Sequence, residues 1–159
     1  MKLILLSDTH VNYDALYAVI SKYSDADMIV HCGDILVPHA HVKDKVLAVA
    51  GNMDSWQEYP FEQTIEAEGL RILVKHGHDL FNGYAPDYRA VARYAKKRKY
   101  DAVFFGHSHI YYDGTVDGIR LLNPGSLWKS RDGSVRTFME VTIENGTITA
   151  VKKTALDLM

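Results

Sequence analysis

Short unbroken apolar runs alternate with stretches in which apolar residues return every three or four positions. Residues 2–7 form the first run, which gives way to a polar loop. A run this short, apolar throughout, predicts a strand buried on both faces. Over 13–23, Leu16, Val19, Ile20 and Tyr23 fall at helical spacing, with Asn12 placed to cap. Residues 27–32 and 45–50 repeat the buried-strand pattern. Strand, helix and strand in this order predict a parallel sheet with crossover helices.

The second half reads differently. Residues 62–67 and 70–75 predict two strands around a turn at Glu68-Gly69. Residues 86–99 predict a helix, with Pro86 near its start, Val91, Ala92 and Ala95 on one face, and a basic end. Residues 101–105 are another buried strand. Beyond them, Asp113-Gly114, Asp117-Gly118, Asp132-Gly133 and Asn145-Gly146 are turn signals between short strands, one of which covers 119–122. The expectation is an α/β fold, two packed sheets flanked by helices, in a single domain over 1–159.

Composition narrows the function classes. The chain is 47% hydrophobic and 24% charged, ordinary for a globular protein, and its net charge is −2. That balance gives no general attraction to nucleic acid or to an anionic membrane, so neither is expected as a partner. The single cysteine, Cys32, excludes an intrachain disulfide and a cysteine-based zinc site. The apolar start at Met1–Leu6 is too short for a signal-peptide core, and no run approaches the roughly 20 residues of a membrane span. A cytoplasmic location is expected.

The chemistry sits where strands end. Asp8-Thr9-His10 follows the first strand, Gly33-Asp34 the second, Gly51-Asn52-Met53-Asp54 the third. His76-Gly77-His78 follows the hairpin, and Gly106-His107-Ser108-His109 follows the strand over 101–105. Each piece alone has an ordinary reading as a turn or a surface loop. Five of them at strand ends point to one convergent site, because ligands of open α/β sheets bind beyond the carboxyl ends of strands. Paired imidazoles such as His107 and His109 suit a metal ion, and the amide oxygen of Asn52 can ligate a hard cation.

The ordered set D-x-H, G-D, G-N, H-G-H and G-H-x-H resembles the calcineurin-like metallophosphoesterases. It is most similar to the short prokaryotic phosphodiesterases of the YfcE type, from Asp8 to Asn123-Pro124-Gly125-Ser126. The resemblance implies a four-layer α/β/β/α sandwich of two mixed sheets. It implies that Asp8, His10 and His109 hold one metal ion, that Asn52, His76 and His107 hold a second, and that Asp34 bridges both. Larger relatives carry a histidine after the asparagine; here the position is Met53, whose thioether cannot move a proton near pH 7. That leaves the general acid unassigned, with His78 and Asp54 as nearby groups that could move a proton or orient a ligand imidazole.

The donor set agrees with phosphate chemistry. Two divalent ions against the carboxylates of Asp8 and Asp34 leave about +2, or about +1 with one bridging hydroxide, because bound imidazoles and amides are neutral. Such a centre attracts an anion, and a small phosphate ester fits. The hydroxide would attack phosphorus, and Asn52 could also reach a phosphoryl oxygen. Mixed nitrogen and oxygen donors suit Mn²⁺ first, with Fe²⁺, Zn²⁺, Co²⁺ or Ni²⁺ as alternatives. The expected activity is phosphodiester hydrolysis; the alternative is a catalytically weak or inactive protein-binding scaffold on the same fold, as in a retromer subunit similar to this family. A mononuclear iron oxygenase would leave half the donors idle. Self-association into a dimer or tetramer is expected from the resemblance. His31 and Cys32 are expected to be structural, His39 and His41 to lie on the surface, and Lys96–Lys99 to be a solvated helix end. Tyr84, Tyr111, Tyr112 and Trp128 are candidates to wall a pocket or an interface.

Overall fold

The computed structural model describes residues 1–82, 85–133 and 135–159. Its first sheet holds β1 (Lys2–Leu6), β2 (Met28–His31), β3 (Val46–Ala48), β9 (Thr137–Glu144) and β10 (Thr147–Thr154), in the order β10-β9-β1-β2-β3. The second sheet holds β4 (Glu62–Ala67), β5 (Leu70–Lys75), β6 (Ala102–Phe104), β7 (Tyr112–Val116) and β8 (Ile119–Asn123), in the order β4-β5-β6-β8-β7. Helix α1 (Tyr13–Lys22) covers the first sheet and α2 (Tyr88–Lys97) the second. The result is a four-layer α/β/β/α sandwich.

Alternating side chains build the three interfaces. Leu3 and Leu5 of β1 face the space between the sheets with Val30, Val74 and Phe104. Ile4 and Leu6 face the other way, onto Leu16, Val19 and Ile20 of α1. In the second sheet Val103 and Phe105 pack against Val91, Ala92 and Ala95 of α2. Each large side chain buried this completely contributes roughly 1.5–3 kcal/mol. A strand with both faces covered therefore has to be apolar throughout, which is why β1 and β6 read as unbroken runs.

Helix starts follow local capping. Asn12 accepts the Ala15 N–H at 3.3 Å and begins α1. Asp87 accepts the Ala90 N–H at 3.0 Å, so α2 starts at Tyr88 and Pro86 lies outside it, two residues later than the pattern suggests. The Asp113-Gly114 pair is not a turn. It lies inside β7, where Asp113 is paired with Leu122 and forms an ion pair with Arg120. The hairpin instead turns at Asp117-Gly118, both at positive φ, because those two residues alone separate the paired Val116 and Ile119.

Strand direction positions the site. Leu6, His31 and Ala48 are aligned in register across β1, β2 and β3, all parallel. Val74, Phe104 and Leu122 are aligned across β5, β6 and β8. The loops leaving both sets emerge at one edge of the sandwich. No helix among the described residues is long and apolar enough to cross a membrane.

Candidate metal centre

The loops beyond the strands are tied together by their backbones. The Asp8 N–H donates to the Gly33 carbonyl, and the His10 N–H to the Asp34 carbonyl, each at 3.0 Å. The Gly106 N–H donates to the His76 carbonyl at 3.0 Å. The His107 N–H crosses between the sheets to Asp8 Oδ2, also at 3.0 Å. Glycines permit the close approaches: a Cβ on Gly106 would stand 2.7 Å from Asp8 Oδ2, and one on Gly51 would stand 2.7 Å from Asp34 Cγ.

These loops bring together all seven donors anticipated from sequence. Asp8 Oδ1 lies 3.1 Å from His109 Nε2, 3.7 Å from His10 Nε2 and 3.8 Å from His76 Nε2. Asp34 Oδ2 lies 3.4 Å from His76 Nε2 and 3.5 Å from His10 Nε2. Asn52 Oδ1 is 3.1 Å from His76 Nε2, and the His107 ring centre is 5.1 Å from that of His76. Among the described residues, two triads have donor atoms close enough to share an ion: Asp8, His10 and His109, and Asp8, Asp34 and His76.

Four of the donors, Asp8, Asp34, His76 and His109, are aimed by neighbours. Asp8 Oδ2 accepts from the Ser7 hydroxyl at 2.6 Å as well as from His107, which leaves Oδ1 facing the imidazoles. Asp34 Oδ1 accepts the Met53 N–H at 2.8 Å, which leaves Oδ2 in the same position. His76 Nδ1 donates to the Cys32 carbonyl and His109 Nδ1 to the Lys129 carbonyl, both at 2.7 Å. With Nδ1 committed to a carbonyl, Nε2 is the atom each ring presents to an ion. Asp8 Oδ1 and His10 Nε2 are buried with no hydrogen-bond partner among the described residues. Burying such atoms unpaired costs roughly 1–3 kcal/mol each, and a cation between them removes that cost, so the donors fit a divalent metal.

Backbone strain gathers here too. Asp8, His10, Asp34, His107 and His109 all have positive φ, between 43° and 70°. Each costs a non-glycine residue roughly 1–2 kcal/mol, and the loop contacts above supply the compensation.

The electrostatics are strongly coupled. Burial disfavours charge on Asp8, yet His76, His10 and His109 beside it hold its carboxyl well below the usual range. Burial likewise opposes charge on Asp34, and His76 again outweighs it, so its carboxyl is also lowered. In return His76, although buried, is raised to about 9, chiefly by Asp8 and Asp34. His107 is lowered to about 4 by burial and by His76. Burial also lowers His78, whose ring lies 5.5 Å from that of His76 and whose buried Nδ1 has no partner among the described residues.

Three supporting residues take roles that the sequence pattern does not assign. Ser7 fixes Asp8. The Ser126 hydroxyl donates to the Asp8 carbonyl at 2.7 Å and accepts the Trp128 and Lys129 N–H groups, so the turn after β8 is fastened to the first loop. Asp54 holds backbone, not an imidazole: its carboxylate accepts the N–H groups of Asp34, Ile35, Leu36 and Gly51. Residues with ordinary roles are equally plain. His31 is buried, lowered to about 3 by that burial, with its ring bonded to the Thr9 hydroxyl and the Gly33 N–H. Tyr112 stacks on Tyr88 and Tyr111 packs at the core edge, whereas Trp128 lies over His10 with ring centres 4.5 Å apart. Tyr84 lies outside the described residues.

Known proteins resemble this chain in sequence and in fold. The family model described as the calcineurin-like phosphoesterase superfamily domain matches residues 1–146. A probable metallophosphoesterase of Mycoplasma pneumoniae is 32% identical over 92% of this chain and 92% of its own. A Streptococcus pneumoniae structure described as a predicted phosphoesterase superposes with a TM-score of 0.84 at 25% identity, covering 96% of this chain and 88% of that one. The YfcE phosphoesterase of E. coli (TM-score 0.70, 23% identity, 95% and 98% covered) shares the fold. So does the Entamoeba histolytica Vps29, solved with zinc (0.73, 20%, 96% and 98%).

Proposed function

Because the chain belongs to the calcineurin-like phosphoesterase superfamily, we propose that it is a phosphodiesterase working with two divalent metal ions. In this reading Asp8, His10 and His109 hold one ion, Asn52, His76 and His107 hold the other, and Asp34 is shared. The observation that carries it is the position of Asp34 Oδ2, nearly equidistant from His10 and His76, one imidazole of each set. Two ions bound there would supply Lewis acidity and a hydroxide formed from water at neutral pH, Mn²⁺ being the first candidate.

The chain's own residues do the rest. Asp8 and Asp34 carry the only two negative charges of the donor set, so the loaded centre stays positive and draws in a phosphate. Asn52 is exposed at the edge of the donor set, where its side-chain N–H would meet a phosphoryl oxygen and its carbonyl oxygen would help hold an ion. His78, its ring centre 5.5 Å from that of His76 and 6.2 Å from that of His107, is our candidate to pass a proton to the departing oxygen. Met53 stands 59% exposed where larger relatives carry histidine, and has no proton to give.

The direct experiment is a turnover screen of the metal-depleted chain resupplied with Mn²⁺, Zn²⁺, Ni²⁺, Co²⁺ or Mg²⁺. The substrates are bis(p-nitrophenyl) phosphate and p-nitrophenyl phosphate. Metal-dependent hydrolysis with the diester preferred supports the proposal; no turnover with any metal refutes it. The fold is shared with Vps29, so a protein-binding scaffold is the second reading. A scaffold would turn over neither ester.

A further inference from the structure

The turn after β8 does more than brace Asp8. Leu127 is fully buried under α1, and its carbonyl accepts the Asn12 side-chain amide at 2.7 Å. The next residue, Trp128, has its backbone N–H fixed on Ser126. Its indole lies 4.5 Å from the His10 ring and 6.0 Å from the His109 ring, centre to centre. Yet 38% of the residue remains exposed. A large aromatic ring is thus held by rigid neighbours, with one side against two metal-site imidazoles and the rest facing water. Such a ring offers a hydrophobic, polarisable surface at low cost in conformational entropy.

We propose that Trp128 is a substrate-binding platform on which a planar aromatic group of the phosphate ester, a nucleobase or an aryl ring, stacks while its phosphate lies at the metal centre. This rests on the phosphoesterase reading above and adds a substrate class to it. The distances suit the assignment. His10 is a first-set donor, so Trp128 borders the metal centre, and its exposed part is open to an aromatic group carried by an ester whose phosphate lies there. A purely aliphatic ester loses this contact. The selectivity expected from one stacked ring is about five- to a hundred-fold.

The test compares ligands that differ only in the ring, on the metal-loaded full chain. Adenosine 5′-monophosphate is set against ribose 5-phosphate, and phenyl phosphate against methyl phosphate, as inhibitors of bis(p-nitrophenyl) phosphate hydrolysis. The aromatic member should inhibit at least about five-fold more tightly. Trp128→Ala should erase that advantage without lowering metal content, and Trp128→Phe should keep most of it. An advantage confined to the first pair identifies a nucleobase; one present in both identifies any aryl ring. A second readout does not need turnover: in Trp56→Phe, where Trp128 is the sole tryptophan, the adenosine ligand should quench emission saturably and ribose 5-phosphate should not. Equal binding of both members in the wild type, or an advantage that survives Trp128→Ala, overturns the proposal. Saturable quenching in a protein that hydrolyses no ester leaves the platform standing and removes the phosphoesterase reading instead.

Discussion

The Asp54 carboxylate accepts the Asp34 backbone N–H at 2.6 Å, and through three more N–H groups it ties the loop after β2 to the loop after β3. One side chain therefore fastens together the loops that carry two of the proposed donors, Asp34 and Asn52. Leu36 is held at a φ of 56° by the same carboxylate.

Asp54→Asn keeps the size but turns an N–H donor toward other donors. The folded chain should lose roughly 1–3 kcal/mol. Metal affinity should fall about ten- to a hundred-fold, as for other residues that orient ligands without touching the ion. Metal titration followed by calorimetry checks this, and an unaltered affinity would show that Asp54 serves the fold alone.

Gly51 is pressed against Asp34, so Gly51→Ala forces the Asp34 carboxylate aside. Overpacking of this kind costs about 1–3 kcal/mol. Metal uptake should suffer more than folding, because the displaced atoms are those of Asp34 itself. Equilibrium urea unfolding and metal content, measured on the same preparation, separate the two effects.

The metal-free chain should be most stable near pH 6.5. His31 is folded with a pKa of about 3, so below 6.5 the unfolded chain takes up the proton and stability drains away as the pH falls toward 3. His107, at about 4, acts in the same direction. His76 acts oppositely: its folded value of about 9 means its contribution is complete below 6.5 and is lost as the pH rises through 9. Each fully titrating group gives a slope of about 1.4 kcal/mol per pH unit. In the proposed centre a metal ion would take the place of the His76 proton, so loading at pH 7.5 should release about one proton from that ring. Urea midpoints across pH, and calorimetry in buffers of different ionisation enthalpy, measure both. A flat alkaline limb in the metal-free chain would contradict the His76 assignment.

Much of this architecture is legible in the sequence. The apolar runs of β1 and β6 and the helical spacing of Leu16, Val19 and Ile20 reflect burial, which leaves a periodic trace in sequence. The D-x-H, G-D, G-N and G-H-x-H pieces announce themselves because rare residue types cluster at strand ends. The supporting contacts leave no such trace. Ser7 and Ser126 are common residues whose roles depend on which loops fold together, and Ser126 meets Asp8 across 118 positions of chain. Asp54 was readable as a neighbour of the site but not as a backbone clamp, since its partners are main-chain amides with no side-chain signature. Asp113-Gly114 misled for the opposite reason: its turn chemistry is genuine, but the pairing of Val116 with Ile119 placed the turn at the next Asp-Gly.

The most direct test is the number of metal ions per chain, with turnover of bis(p-nitrophenyl) phosphate, for the wild type and Asp34→Ala, folding being checked by circular dichroism. The wild type should hold two ions. The variant should stay folded, lose at least one ion, and turn over at least about a thousandfold more slowly. A folded Asp34→Ala protein that keeps both ions and its full rate would contradict the shared-carboxylate centre.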